Sequence, residues 1–423
     1  MSSGSPPRPP DGSLDRLRGS IDDWLSGFGT AGEIGGLLAR SPQARQAEGY
    51  ADTLREILQQ PVTWLETAAA VAADRARLDA VLEQAGIHAR TGSLVLTGSG
   101  SSLYAGECLA LPLQAALRVP VQALPAGLLL THPESCLPPA GPYLVVSFAR
   151  SGNSPESRAV LDSLLEGDAR GRHLVVTCSR TGALARASAG NPRVEAVVLD
   201  EKTEDRSLVM TSSFTNLVLA GGFLACTRRP EAHARRAEAA ARAAASVLQR
   251  DGDTLARVAR GGFDSAVYLG SGCRLGSARE AGLKMLEMTA GRVPTLPESF
   301  LGLRHGPMSA VHGDTLVVAF LSSDEVVRAY EVDLLSELDR KRLATHKLIV
   351  GSRVPPELAT RPEDVIVECG EGLADEDLVV TDVVVGQLLA FFRCLREGLQ
   401  PDSPSAGGVI NRVVGSFTIH RRR

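Results

Sequence analysis

The sequence predicts an α/β protein of two tandem three-layer α/β/α units, each built on a parallel sheet, with short helices ahead of them. Three observations carry this prediction. The run Leu94-Val-Leu-Thr-Gly-Ser-Gly-Ser-Ser102 returns as Ala266-Val-Tyr-Leu-Gly-Ser-Gly-Cys-Arg274, with Gly98 and Gly270, and Gly100 and Gly272, each 172 residues apart. Leu144-Val-Val-Ser-Phe148 matches Leu316-Val-Val-Ala-Phe320 at the same offset, and Leu174-Val-Val176 matches Leu348-Ile-Val350 at an offset of 174. Helical patterns such as Ser157–Leu165 and Leu275–Ala290 separate these runs. Repetition in one order at nearly one spacing marks an internal duplication.

Each repeated run is short, apolar throughout and rich in β-branched residues, as expected of strands buried on both faces. Their alternation with helices implies βαβ units with right-handed crossovers. Ahead of them, Ala51–Leu58 and Val62–Glu83 read as helices broken at Pro61, and Glu231–Arg250, rich in Ala and Arg, reads as the helix joining the units. The organisation expected is a disordered or poorly structured tail over 1–48, a first unit with leading helices over 49–230, and a second unit with the linker helix and a C-terminal tail over 231–423.

The 423 residues suffice for two full cores, and 44% hydrophobic with 22% charged residues is a globular composition. A formal net charge of -4 gives no bulk attraction for nucleic acid or an anionic membrane, so neither is expected as a partner. Seven cysteines are scattered without CxxC spacing, which offers no zinc or redox motif and fits reduced thiols in a cytoplasm. Met1–Ser13 is rich in Ser, Pro and Gly and reads as a tail, not a signal peptide. The stretches Leu109–Leu130 and Phe214–Cys226 are interrupted or too short to span a bilayer.

In open parallel sheets ligands collect beyond the carboxyl ends of the strands. In the first copy that edge carries Gly98-Ser-Gly100-Ser101-Ser102 and Ser147-Phe-Ala-Arg150-Ser151-Gly-Asn153-Ser154-Pro-Glu156. Glycines admit an anion to the backbone, helix-start N–H groups point at it and hydroxyls add donors. Hydrogen bonds to a charged group contribute about 1.5–3 kcal/mol each, so four or five hold a phosphate without lysine. Either cluster alone is equally a turn and helix cap; two at adjacent strand ends favour phosphate. A dinucleotide fingerprint is not met, because Gly98-Ser-Gly100-Ser-Ser-Leu103 lacks its third glycine. The second copy has Ser322-Ser-Asp324 in place of the second cluster, and Asp324 would repel phosphate.

The second copy supplies titratable residues instead. Glu280, Lys284 and Glu287 share a helical stripe, which by pattern alone is a solvated face with ion pairs. Pro297-Glu298-Ser-Phe-Leu-Gly-Leu-Arg304-His305-Gly-Pro307 puts an acid, a base and a histidine in a stretch that reads as an irregular functional loop.

These motifs resemble the SIS (sugar isomerase) domain fold and, more closely, the tagatose-6-phosphate ketose/aldose isomerase family, which includes AgaS-type galactosamine-6-phosphate deaminases. The likeness rests on Leu54–Pro61, Ser147–Glu156, Met210-Thr-Ser-Ser-Phe-Thr215, Glu298–Pro307 and Pro404–His420. It implies a sugar-phosphate site at Ser101, Ser102, Arg150, Ser151, Asn153 and Ser154, with Ser212, Ser213, Glu298 and Arg304 also contacting substrate. It implies Glu287 as the base between C1 and C2, Lys284 as its neighbour, and His305 as the ring-opening histidine, given by the partner in a homodimer or higher homo-oligomer. The related synthase has a functional lysine near its end where this chain has Gly415, and no glutaminase domain is matched.

The expected reaction is D-galactosamine 6-phosphate and water to D-tagatose 6-phosphate and ammonia, with no cofactor and no metal. A carboxylate base suits it if burial lifts its pKa toward about 6–7, which Lys284 would oppose. The alternatives are ketose/aldose isomerisation without deamination and a non-catalytic sugar-phosphate sensor; retention of Glu287 and His305 favours an enzyme.

Overall fold

The computed structural model describes residues 12–344, 346–405, 407–415 and 417–420. The first sheet contains β1 (Ser93–Gly98), β2 (Val121–Pro125), β3 (Tyr143–Ala149), β4 (Gly171–Thr177) and β5 (Val194–Val198), ordered β2-β1-β3-β4-β5. The second contains β6 (Ser265–Gly270), β7 (Thr295–Ser299), β8 (Thr315–Phe320), β9 (His346–Gly351) and β10 (Val365–Glu368), ordered β10-β9-β8-β6-β7. Every pairing is parallel, and the two orders are the same path walked twice. In each sheet the connections diverge beside the first strand of the unit, which opens a crevice between β1 and β3 and another between β6 and β8.

Helices Ser101–Leu117, Ser212–Gly222, Pro230–Ala259, Arg274–Met288 and Asp375–Arg396 pack against one another between the two sheets. They share one core that runs from Leu17 to Cys394, so the two units are joined by a common interior. Asp375–Arg396 is apolar and long enough to cross a membrane, but 94% of its apolar window is buried here, and it serves as the central core helix. The sequence reading had passed over that stretch. Helices Pro155–Gly167 and Glu325–Arg340 cover the outer faces, over smaller cores.

The leading region corrects the expectation of a poorly structured 1–48. Residues 1–11 lie outside the described part, but Gly12–Leu17, Ile21–Ser26, Gly32–Leu38 and Pro42–Ala47 are helices. Ser20 and Asp23 form a reciprocal capping box, and Ser41 caps the helix begun by Pro42. Trp24 is fully buried and donates its indole N–H to the Leu58 carbonyl at 2.7 Å, and Glu33 pairs with Arg260. One buried aromatic with a satisfied N–H outweighs the polar composition around it. The break expected at Pro61 falls at Gln59, with Pro61 in the first turn of Gln60–Ala73, where its missing N–H is tolerated, and a second break falls before Arg75–Gln84. The linker helix is also longer than expected, at Pro230–Ala259.

Helices Ser101–Leu117 and Arg274–Met288, one from each unit, nearly touch where Gly276 faces Cys108. A Cβ at Gly276 would lie 2.7 Å from both the Cys108 backbone nitrogen and its sulfur. Gly276→Val must therefore push the helices apart, and is expected to lower the unfolding free energy by about 1–3 kcal/mol in urea denaturation. An unchanged midpoint would show that the helices are not held together there.

Candidate active site

The carboxyl ends of β1 and β3 are neighbours, with Thr97 in register with Ser147. After β1 the chain turns through Gly100, at φ +56°, a conformation that favours glycine, and starts the helix at Ser101 and Ser102. After β3 it passes Ser151 and Asn153 and starts the helix Pro155–Gly167 with Ser154 at its N-cap. Ser99 donates its hydroxyl to Glu156, tying the two loops together. Two helix N-termini thus converge on one spot, where N–H groups and the helix dipoles favour an anion. Ser154 makes no cap bond, and its hydroxyl is enclosed without a protein partner. Ser151 Oγ accepts only the Asn153 N–H, at 3.3 Å, and Asn153 Oδ1 accepts the Ala183 N–H at 3.0 Å. Ser102 Oγ rests 4.0 Å from the Met210 sulfur.

The helix Arg274–Met288 brings the acid–base residues to this cradle. Lys284 is fully buried, with Nζ 2.5 Å from Glu287 Oε2, 3.2 Å from Glu280 Oε1 and donating to Ser101 Oγ at 3.1 Å. The ion pairs expected of the stripe exist, but the stripe is not a solvated face: Glu280 and Lys284 are buried, and only Glu287 of the three reaches the surface. Burial disfavours the Lys284 ammonium, yet Glu280 and Glu287 together outweigh it and hold its pKa above the ordinary value. Burial raises Glu280 from 4.5 to about 7; the Lys284 charge and the Ser101 hydroxyl pull it down, and the Glu287 charge adds to the rise.

Several expected contacts are used differently. Arg150 is buried, and its guanidinium donates to the carbonyls of Ser207, Leu208, Val209 and Arg412. It therefore fastens the loop before Ser212 and the C-terminal segment instead of presenting a free fork to phosphate. Ser212 and Ser213 are fully buried. Asp205 takes the Thr211, Ser212 and Ser213 N–H groups and the Ser213 hydroxyl, while Ser212 Oγ accepts from Gln59 and Asn216. A carboxylate already fills that helix start, so these serines serve the interior. Arg304 pairs with Glu337 at 2.8 Å on the outer helix, where Lys341 and Arg304 pull the Glu337 carboxyl down to about 2.

The segment expected to be an irregular loop is partly ordered. Glu298 stands at the end of edge strand β7 and accepts from Ser299 N–H at 2.7 Å, and a short helix, Phe300–Leu303, follows. His305 is exposed, and its ring carries no hydrogen bond within the described chain. Gly415 is exposed three residues beyond Arg412, on the segment that Arg150 holds; Ala406 and Ser416 of the same stretch lie outside the described residues. Among the described residues no group of three His, Cys, Asp or Glu side chains is placed to hold a metal.

Glu280, Ser99, Glu156 and Met210 were not among the expected site residues. Glu280 had a signal, since it lies one turn before Lys284 on the same stripe; the other three are brought in by strand order and loop packing.

Known proteins resemble the chain over most of its length. No family model matches the chain. A Streptomyces coelicolor protein named as a candidate D-galactosamine-6-phosphate deaminase AgaS is 39% identical over 378 residues, covering 87% of this chain and 95% of its own. The chain belongs to the AgaS family. The Escherichia coli O157:H7 D-galactosamine-6-phosphate deaminase AgaS is 34% identical over 373 residues, again covering 87% of this chain and 95% of its own. The crystal structure of tagatose-6-phosphate ketose/aldose isomerase from Escherichia coli superposes with a TM-score of 0.79 at 30% identity, covering 87% of this chain and 96% of that one. The fold is thus the SIS fold of phosphosugar isomerases, and the AgaS relatives are sugar-phosphate enzymes.

The buried carboxyl gives a pH test of this AgaS-type site. With a folded pKa of about 7 against 4.5 unfolded, Glu280 binds more protons in the folded state across that window, so its contribution to stability falls as pH rises from 4.5 to 7. Glu280→Gln should flatten that fall when urea unfolding is compared at pH 5 and pH 8. An unchanged slope would show that Glu280 takes up no proton there.

Proposed function

We propose that this enzyme converts D-galactosamine 6-phosphate and water to D-tagatose 6-phosphate and ammonia. The observation that carries the reading is the contact of Lys284 with Ser101, which joins the anion cradle of the first unit to the carboxylates of the second. In this reading the phosphate sits on Ser102, Ser151, Ser154 and the N–H groups at the starts of the two helices. Its charge meets neutral donors and helix dipoles, and Glu287 stands close enough to act on the substrate carbons.

His305 of a second copy opens the sugar ring; its exposure beside edge strand β7 suits a residue given across an interface. Glu287 takes the proton from C2, leaving an enolamine, and delivers it to C1. The product is a C2 imine, which water hydrolyses to the ketone and ammonia. Lys284, held as a cation, fixes Glu287 by a 2.5 Å ion pair and keeps the base on the substrate side of the helix. Cytoplasmic metabolism of an amino sugar is the setting this reaction suits.

Glu287→Gln removes the base while keeping its volume, and is expected to lower kcat by about 10²–10⁴-fold. Binding of inorganic phosphate should persist. Ammonia release from galactosamine 6-phosphate, followed beside a panel of other hexosamine 6-phosphates, measures both the assignment and the substrate preference. Near-wild-type turnover in Glu287→Gln would sink the base assignment. Ketose formation from an aldose phosphate with no ammonia from any amino sugar would leave plain isomerisation in its place.

A further inference from the structure

The second unit repeats the glycine turn of the first. Gly272 has φ +57° where Gly100 has +56°, and a Cβ on Gly270 would strike Arg274 just as one on Gly98 would strike Ser102. At the 172-residue offset, Arg274 takes the place of Ser102, and Ser322 and Ser323 take those of Arg150 and Ser151. A cradle of this shape collects an anion, and here one is already present on the chain. Ser323 N–H donates to Asp375 Oδ1 at 2.6 Å, and Ser322 Oγ donates to Asp375 Oδ2 at 2.5 Å. The fully buried Arg274 guanidinium lies 3.7 Å from Asp375 and forks onto Asp382 at 2.8 and 2.5 Å. The Ser322 N–H goes to Glu331 at 2.7 Å.

Asp324 does not act as the sequence suggested. It caps the helix Glu325–Arg340 by accepting the Val326 and Val327 N–H groups at 2.9 and 3.0 Å. The carboxylate that excludes phosphate from the second unit comes instead from Asp375, some fifty residues further along the chain.

We propose that the second unit holds a complete anion cradle whose permanent ligand is the chain's own Asp375. Because Asp375 opens the helix Asp375–Arg396 and Arg274 opens the helix carrying Glu280, Lys284 and Glu287, this internal ligand pins the starts of both helices together. Removing the carboxylate uncovers a latent site for a tetrahedral oxyanion. A surface cleft of about 310 Å³ adjoins it, lined by Ser323, Glu325, Arg328, Arg353 and Ala374 among others, so two arginines and one glutamate stand beside the site.

The inference borrows the reading of the first cradle as a phosphate site, and one experiment separates the two. Inorganic phosphate is titrated calorimetrically into wild-type protein, Asp375→Ala and Asp375→Ser; the serine variant keeps a good helix-start residue in case alanine impairs folding. The expected stoichiometry is one phosphate per chain for wild type and one more in the variants, with the variants' melting temperature rising more steeply with phosphate. Variants that gain no equivalent over wild type would overturn the latent cradle. A wild type that binds none, with variants that bind one, would uphold the latent cradle and overturn the reading of the first.

Discussion

The Lys284 ammonium is the interaction on which the arrangement turns. A fully buried cation is strongly unfavourable unless charge and hydrogen bonds surround it. Here those partners come from both units: Glu280 and Glu287 on its own helix and Ser101 at the start of the first unit's cradle helix. The lysine cannot leave this position without stranding a charge in the core. The cradle and the base are therefore held at one spacing by the same group. The close crossing of the two helices at Gly276 and Cys108, further along the helix, removes the room in which that spacing could drift.

A second constraint explains why only one anion site stays open. Helix starts gather unsatisfied N–H groups, and at some of them this chain supplies its own carboxylate. Asp205 covers the start at Ser212, Asp324 the start at Glu325, and Asp375 the turn after β8. Among the described residues the start at Pro155 has no such carboxylate across it: Ser154 has no partner there, and Glu156 is turned to Ser99. Arg150 fits this pattern, since a buried guanidinium bound to four carbonyls fastens the neighbouring loops without adding a free positive charge to the cradle.

How far the sequence could be read follows from burial. The central strands β1, β3, β6 and β8 are buried along nearly their whole length, so their sequences are unbroken apolar runs, and the duplication shows through them. The edge strands β2 and β7 are short and half-exposed, and their residues look like loop. The leading helices are small and polar, anchored by Trp24 and a few caps, and composition alone describes them as tail. Ser101, Ser102, Ser151, Ser154, Lys284 and Glu287 do assemble around one crevice. Ser212, Ser213, Arg150 and Arg304 do not present themselves there, because a hydroxyl or guanidinium in a motif says nothing about which neighbour it will satisfy. Asp205, in the loop before that helix, and Glu337, on another helix, settle the question for three of them.

Two units of one strand order, with different residues after the matching strands, bring two kinds of chemistry side by side. A single unit offers one crevice, and an anion placed in it has nothing beyond its helix starts to react with. Two units packed through a shared helical core set a second crevice's helix against the first crevice's mouth. With Asp375 bound at the turn after β8, the first helix of the second crevice carries Glu280, Lys284 and Glu287. The ion cluster of Arg274, Asp375 and Asp382 at one end of that helix and the Lys284 cluster further along then fix it at two points. The rigidity that holds Glu287 comes from charges the chain has paired within itself.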